Sequence, residues 1–418
     1  MKKKNVYFFQ VALLLLAVQG FSQGSFNVKL MYWNLLNYPS TSNSAADTTL
    51  RHPYYREVIQ HEVPDILVTG ENTLSTATTW FVNSVMNANG NVYSKGSFIN
   101  GFDTDNAIYF KTAMFTFISN TAILTDVRDI NEFKIVHTLS GDTIRIYAVH
   151  LKASSGSPND LQRALEVDSL RKVTNLLPNG SNFIVCGDFN IYGDYESAYQ
   201  KLIQDNPGDD GNFVDPITMT GVWNRFSYRA FHTQSTRTTS FGGGATGGLN
   251  DRFDMILYSS AISQNTSGIS FVAGSTTPVG NDGNHFDDQI NLVPNTAAPA
   301  NVINALYYAS DHLPVTALFN FSNPNGINSL ENELYQLSVF PNPAIDNFMI
   351  KFTLPKSQKV VLKITDALGR DVLTENLSIK SAGQHHFVVN RPLDGGVHFL
   401  TLFLDESQSA RKLFFIDK

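Results

Sequence analysis

Between positions 34 and 312, polar residues recur at the ends of short apolar runs. Asn34 follows Met31-Tyr32-Trp33, and Glu71 follows Ile66-Leu67-Val68-Thr69-Gly70. His150 closes the run Ile144–Val149, and Asp188 and Asn190 stand in Gly187-Asp188-Phe189-Asn190 after Phe183–Cys186. Asp254 precedes Met255-Ile256-Leu257, and Asp311 and His312 lie in Ser310-Asp311-His312 ahead of Val315–Phe319. Such runs read as strands, and strand ends are where a layered β-rich protein presents side chains to a ligand. Two imidazoles, four carboxylates and two carboxamides placed there suit metal-assisted hydrolysis of a phosphoester.

Each residue type has a part in that chemistry. A histidine beside an aspartate takes a proton from water, or holds a phosphoryl oxygen once protonated. Two histidines also fit zinc, but zinc leaves the carboxylates and carboxamides unused, whereas an oxygen-rich pocket favours Mg2+, Mn2+ or, as a third option, Ca2+. Gly187 is expected to let the chain turn sharply. Alternation then sends Asp188 and Asn190 to one side and Phe189 to the other. Taken singly, each motif has a plainer reading as a turn, a cap or a solvated acid. Arg128 is a candidate phosphate-binding arginine or a loop residue. His232 and Arg237 in Phe231-His232-Thr233-Gln234-Ser235-Thr236-Arg237 are expected on a surface loop, from which they could reach substrate.

These positions need a scaffold, and residues 26–322 read as one large domain. Strand-like runs recur at Val28–Trp33, Ile66–Thr69, Ala107–Phe110, Phe133–His137, Ile144–His150, Phe183–Cys186, Met255–Tyr258 and Val315–Phe319. Helical spacing appears at Leu161–Leu177, with Leu161, Ala164, Leu165, Leu170 and Val173 on one face, and at Tyr54–Gln60 and Glu196–Ile203. Strands with interspersed helices fit a layered α+β sandwich. Phe241–Leu249 and Gly274–Ala300 read as long loops. A turn-rich linker over 323–333 leads to a second unit, 334–418. There closely spaced strands at Ser338–Phe340, Phe348–Phe352, Val360–Thr365, His385–Val389, Val397–Leu404 and Lys412–Ile416 indicate a small all-β sandwich.

Composition bounds the setting. The 418 residues are 42% apolar and only 16% charged, which suits a large core and argues against disorder. Lys2-Lys3-Lys4, the apolar stretch Val6–Val18 and small residues up to Ser22 form a signal peptide over 1–22. Export follows, and no later segment is apolar enough to span a bilayer stably. Loss of three lysines takes the formal charge from −7 to −10, against a tight, nonspecific nucleic-acid binder. The lone Cys186 sits in an apolar run and is expected to be buried and inert, so no disulfide stabilises the exported chain.

The set as a whole resembles the endonuclease/exonuclease/phosphatase superfamily over about residues 27–320, in the family's order. That resemblance implies a four-layered α/β sandwich of two facing sheets with the site at one rim. It casts Asn34, Glu71 and Asp311 as metal-side residues and His150, Asp188, Asn190, Asp254 and His312 as catalytic ones. It implies a Mg2+ or Mn2+ cofactor and a nucleic-acid or other phosphoester substrate; a monomer is expected. Many relatives carry Gln before the metal-binding Glu, where this chain has Gly70, and the partner of the first histidine is expected at Asp105 or Asn106. The C-terminal unit resembles a type A sorting domain of type IX secretion substrates. Val339-Phe340-Pro341-Asn342-Pro343, Ile364–Arg370, Gly395-Gly396 and the final Lys412–Ile416 strand carry this resemblance. It implies export through that machinery to the medium or surface of a Bacteroidota-type bacterium. A secreted nuclease is the leading expectation. The alternatives are a phospholipase-C- or sphingomyelinase-like enzyme fed by aromatics such as Trp223 and Phe226, a sugar or inositol phosphate phosphatase, and a non-enzymatic surface binder.

Overall fold

A computed structural model of the chain describes residues 25–39, 48–206, 208, 210–240, 243–322, 335–344, 347–366, 370–404 and 407–416. The expected signal peptide and linker, Phe241, and part of the Ile364–Arg370 motif lie outside these residues.

In chain order the first body runs β1 (Ser25–Tyr38), α1 (Thr48–Glu62), β2 (Ile66–Asn72), α2 (Ser75–Phe81, continued by a π turn), β3 (Tyr93–Lys95), β4 (Asp105–Lys111), β5 (Phe115–Ile123), β6 (Ile130–His137), β7 (Thr143–His150), α3 (Ser157–Thr174) and β8 (Phe183–Asp188). It continues through α4 (Ser197–Ile203), β9 (Phe213–Val214), β10 (Asp254–Ser259), α5 (Ser260–Gln264), β11 (Ile269–Phe271), β12 (Thr277–Pro278), α6 (Ala300–Ala309) and β13 (Val315–Ser322). One mixed sheet has the order β11-β13-β1-β2-β4-β3, with β12 also on β13; the second has the order β5-β6-β7-β8-β10-β9.

Side-chain alternation along the strands builds the layers. Val28, Leu30 and Tyr32 of β1 join Ile184 and Cys186 of β8 in the core between the sheets. Met31, Trp33 and Leu35 point the other way, onto Tyr55 and Val58 of α1 and Val302 and Leu306 of α6. Phe183 and Val185 of β8 face Ala164, Val167 and Leu170 of α3. Three apolar cores between four layers follow, helices outside and sheets inside. Cys186 is fully buried and unpaired, and burial pushes its thiol up.

The second body contains β14 (Ser338–Phe340), β15 (Phe348–Leu354), β16 (Gln358–Asp366), β17 (Asp371–Lys380), β18 (Gly383–Val389), β19 (Gly396–Leu404) and β20 (Ser407–Ile416). Sheets β14-β15-β18 and β17-β16-β19-β20 enclose a core of their own, including Ile350, Leu362, Ile364 and Leu400.

Several local expectations are corrected. Leu161 and Leu165 are exposed; α3 buries Arg163, Ala164, Val167 and Leu170 instead. The segment 274–300 contains β12 and leads directly into α6. Gly187 makes no turn: it pairs within β8, and a Cβ there would collide with the carbonyl oxygen of Val149 on β7. Among the described residues, no helix is long and apolar enough to cross a membrane.

Candidate active site

The sheets bring the scattered residues together through register. On the first sheet Asn34 pairs with Gly70, which places Glu71 beside Asn34. On the second, His150 of β7 and Asp254 of β10 both pair with Asp188 of β8, from opposite sides. The loop between α6 and β13 supplies Asp311 and His312. Ser310 Oγ donates to the Asn34 carbonyl at 2.7 Å, and Trp33 Nε1 donates to the His312 carbonyl at 3.0 Å.

At the centre, Asn34 Nδ2 donates to Glu71 Oε1 at 2.9 Å and Asp188 Oδ2 at 3.2 Å, bridging the two sheets. His312 Nδ1 lies 2.7 Å from Asp254 Oδ2. Its Nε2 is 3.6 Å from Asp188 Oδ2, as is His150 Nε2. Asn190 adopts a left-handed φ of 51°, so Asp188 and Asn190 are not related by strand alternation. The Asn190 amide N–H instead folds back onto Asp188 Oδ1 at 3.1 Å, and its Nδ2 donates to the Leu151 carbonyl at 3.2 Å. Phe189 points away into the α3 core.

Burial and like charge set the electrostatics. Burial raises Glu71, with Asp311 adding repulsion, and raises Asp188, which Asp254 and Glu71 push further. Burial alone would lower His312, but Asp254, Asp188 and Asp311 outweigh it and hold the imidazole well above its ordinary value. His150 goes the opposite way, lowered by burial and by the nearby Arg128 and His312. Asp254 Oδ1 and Asp311 Oδ1 are buried without hydrogen-bond partners among the described residues. Crowded carboxylates with unused oxygens are what a divalent cation requires, so the donor set fits one. Asp188, Asp254 and His312 also offer atoms within 4.8 Å of one another. The 2.7 Å His312–Asp254 separation is a hydrogen-bond distance, since neighbouring ligands of an octahedral ion with bonds of about 2.1 Å stand about 3 Å apart.

The weaker candidates divide. Arg128 lies at the rim, its Nη1 3.4 Å from the His150 carbonyl and its Nε 2.9 Å from Asp103 Oδ2. His232 and Arg237 are fully buried, not on a surface loop: His232 Nε2 meets the Trp223 carbonyl at 3.0 Å, and Arg237 Nε donates to the Tyr307 carbonyl at 2.8 Å. Trp223 is buried in the α3 core and cannot feed substrate; Phe226 is exposed. Neither Asp105 nor Asn106 partners His150: Asp105 accepts from Gly101 N, Asn106 donates to Asn131 and the Ala148 carbonyl, and His150 Nδ1 has no partner among the described residues.

Three contributors escaped sequence reasoning. Arg51 Nη1 and Tyr55 Oη bind the Leu35 carbonyl, at 2.7 and 2.8 Å, and fix the left-handed turn at Leu36 and Asn37. Asn37 N then donates to Glu71 Oε2 at 2.6 Å. The third is Gln234, whose Nε2 is 2.6 Å from His312 Nε2. All three sit far in sequence from what they touch; the only local signal was a polar residue inside an otherwise apolar or loop segment.

Residues 31–312 match the model of the endonuclease/exonuclease/phosphatase family, and residues 338–416 match the secretion system C-terminal sorting domain. Similar solved structures include an endonuclease/exonuclease/phosphatase family protein from Bacteroides thetaiotaomicron, 15% identical, covering 71% of this chain and 99% of that one with a TM-score of 0.46. D. rerio TDP2 complexed with single strand DNA product is 13% identical (70% and 98% covered, TM-score 0.45), and the human Nocturnin catalytic domain with bound sulfate is 18% identical (72% and 98%, 0.43). No curated protein matches the chain. The chain belongs to the endonuclease/exonuclease/phosphatase family and is a metal-dependent phosphoric ester hydrolase carrying a C-terminal sorting domain of type IX secretion.

Proposed function

We propose that this is an exported, Mg2+- or Mn2+-dependent phosphodiesterase whose substrate is extracellular nucleic acid. The observation that carries the chemistry is the His312–Asp254 pair at 2.7 Å, with the Nε2 edge of the imidazole toward Asp188 and the Asn34–Glu71 bridge beside it. Glu71 and Asp311 would hold the cation, with Asn34 hydrogen-bonded to Glu71 beside them. Bound there, the ion supplies Lewis-acid polarisation of a phosphoryl oxygen.

The chain's own groups do the rest. Asp254 fixes the His312 ring and its Nδ1 proton, leaving Nε2 to exchange a proton at the reacting oxygen. Asp188, between the two imidazoles, orients the attacking water. His150, kept neutral by burial, and the remaining N–H of Asn190 donate to the phosphoryl group as its charge grows. Positioning and charge neutralisation dominate phosphoryl transfer, which suits so many converging polar groups. The family supports a phosphoester substrate and the export domain an extracellular one; the acidic chain supports modest affinity rather than tight binding. The boundaries 1–22, 26–322, 323–333 and 334–418 are proposed for the leader, hydrolase, linker and sorting units.

The test is hydrolysis of double-stranded DNA and bis-p-nitrophenyl phosphate by the mature chain, with and without Mg2+ or Mn2+. Metal-dependent cleavage of both is expected. Cleavage of only the small ester would move the substrate to lipid, sugar or inositol phosphates; no cleavage of either would overturn the proposal.

A further inference from the structure

We infer that Gln234 is a positioning residue for His312, covering the imidazole nitrogen that exchanges the proton. This rests on the catalytic role proposed for His312. With Nδ1 held by Asp254 at 2.7 Å, the nearest neighbour of Nε2 is the Gln234 carboxamide, at 2.6 Å. Asn34 Nδ2 and Asp188 Oδ2 lie farther away, at 3.5 and 3.6 Å. The same carboxamide lies 3.4 Å from Asp311 Oδ2, so one side chain spans the base and a proposed metal-side carboxylate.

The backbone leaves the side chain little choice. Gln234 bridges both Asp251, in the segment that enters β10 at Asp254, and His312 itself. Its N–H donates to the Asp251 carbonyl at 3.1 Å, and its carbonyl accepts from Asn250 N at 2.8 Å and Asp251 N at 2.9 Å. Thr233 beside it accepts the Asp254 N–H on Oγ1 at 3.1 Å and binds Leu313 N through its carbonyl at 2.7 Å. The stretch therefore ties the two halves of the His–Asp pair together and aims the 234 side chain at Nε2.

A carboxamide is suited to that place. It donates N–H to a bare imidazole nitrogen and, turned about its last bond, accepts from a protonated one. A methyl group does neither, and a carboxylate only accepts. Gln234 thus holds the ring facing Asp188 in both states, and an entering water or phosphoryl oxygen takes its place at Nε2.

The experiment uses the mature full-length chain and its Gln234→Ala and Gln234→Glu variants. It reads kcat and KM on bis-p-nitrophenyl phosphate with Mn2+, and the rate of carbethoxylation of His312 by diethyl pyrocarbonate, with exposed His386 as the internal control. Loss of an orienting partner of this kind lowers kcat roughly 10- to 100-fold in Gln234→Ala, with KM and melting temperature unchanged. His312 is modified faster in that variant because Nε2 is uncovered. In Gln234→Glu a side chain of the same reach still covers Nε2 but has no N–H to donate, so kcat falls while modification stays slow. Wild-type kcat together with wild-type His312 reactivity in Gln234→Ala would overturn the inference. A wild-type chain that fails to cleave the ester would sink the hydrolase reading of the site, and the His312 modification rates would then decide for or against the Gln234 contact.

Discussion

At the residue scale, the His312–Asp254 contact and Gly70 make the sharpest predictions. Asp254 both fixes the His312 ring and stabilises its charged form; Asp254→Asn keeps the size but removes the charge and offers an N–H to Nδ1. By analogy with other His–Asp pairs, kcat on bis-p-nitrophenyl phosphate should fall by about 10³- to 10⁴-fold while the melting temperature holds. A loss of less than tenfold would mean that His312 acts without Asp254. Gly70 stands where the family often has Gln, and the reason is steric: a Cβ there would collide with the hydroxyl of fully buried Tyr32. Gly70→Ala should cost about 1–3 kcal/mol in urea denaturation. Tyr32→Phe should recover much of that loss, because the offending atom is a side-chain oxygen with no hydrogen-bond partner among the described residues. If the double variant is no more stable than Gly70→Ala, the collision is not the cause.

At the scale of elements, the β6–β7 hairpin carries a second buried polar group at the opposite strand ends from the site. His137 Nδ1 meets Ser140 Oγ at 2.9 Å, and Ser140 Oγ donates to Asp142 Oδ2 at 2.6 Å. Phe26, Phe115 and Phe321 surround the imidazole. Burial lowers His137 to about 4 and raises Asp142 to about 6. The signs oppose. A histidine whose folded value is depressed loses stability as pH falls from about 6.5 to 4, up to about 3 kcal/mol. A carboxyl whose folded value is raised regains stability as pH falls from about 6 to 3.8, by a similar amount. Between pH 6 and 4 the two offset each other. Asp142→Asn removes only the second effect, so its melting temperature relative to wild type should drop progressively over that window. A difference that does not vary with pH would show that the hairpin does not titrate as described.

At the scale of the whole molecule, the cores are separate. The three cores of the hydrolase and the core around Leu362 share no residue, and no strand pairing joins them among the described residues. Calorimetry of the mature chain should therefore show two transitions. Leu362→Ala, at a fully buried position, should lower one of them by about 2–5 kcal/mol and leave the other and the hydrolysis rate unchanged. One transition shifted as a unit would mean that the bodies fold together. Chelation should act on the other body: a cation binding only the folded site stabilises it by mass action. EDTA should abolish hydrolysis and lower the melting temperature of that transition alone.

Much of this was legible in the sequence, because its signals are local. Apolar runs flanked by Glu71, His150, Asp188 and Asp254 marked strand ends, although β1 continues past Asn34 to Tyr38, and alternation fixed which side chains face a core. Tertiary structure alone decided the rest, since strand pairing joins residues that sequence distance cannot relate. The short edge strands β3, β9 and β12 and the exposed hairpin strand β5 carry too weak an apolar pattern to be read as strands. The left-handed turns at Leu36, Asn37, Glu71 and Asn190 defeat simple alternation, and they place the very groups that converge. His232 and Arg237 read as surface because their segment is polar, yet packing encloses them, and backbone carbonyls take His232 Nε2 and Arg237 Nε. Gly187 reads as a turn former, whereas it is a strand residue kept small by the neighbouring strand, as Gly70 also is. Gln234 offered no more than a polar residue in a loop segment, since its meaning lies in the imidazole it touches 78 residues away.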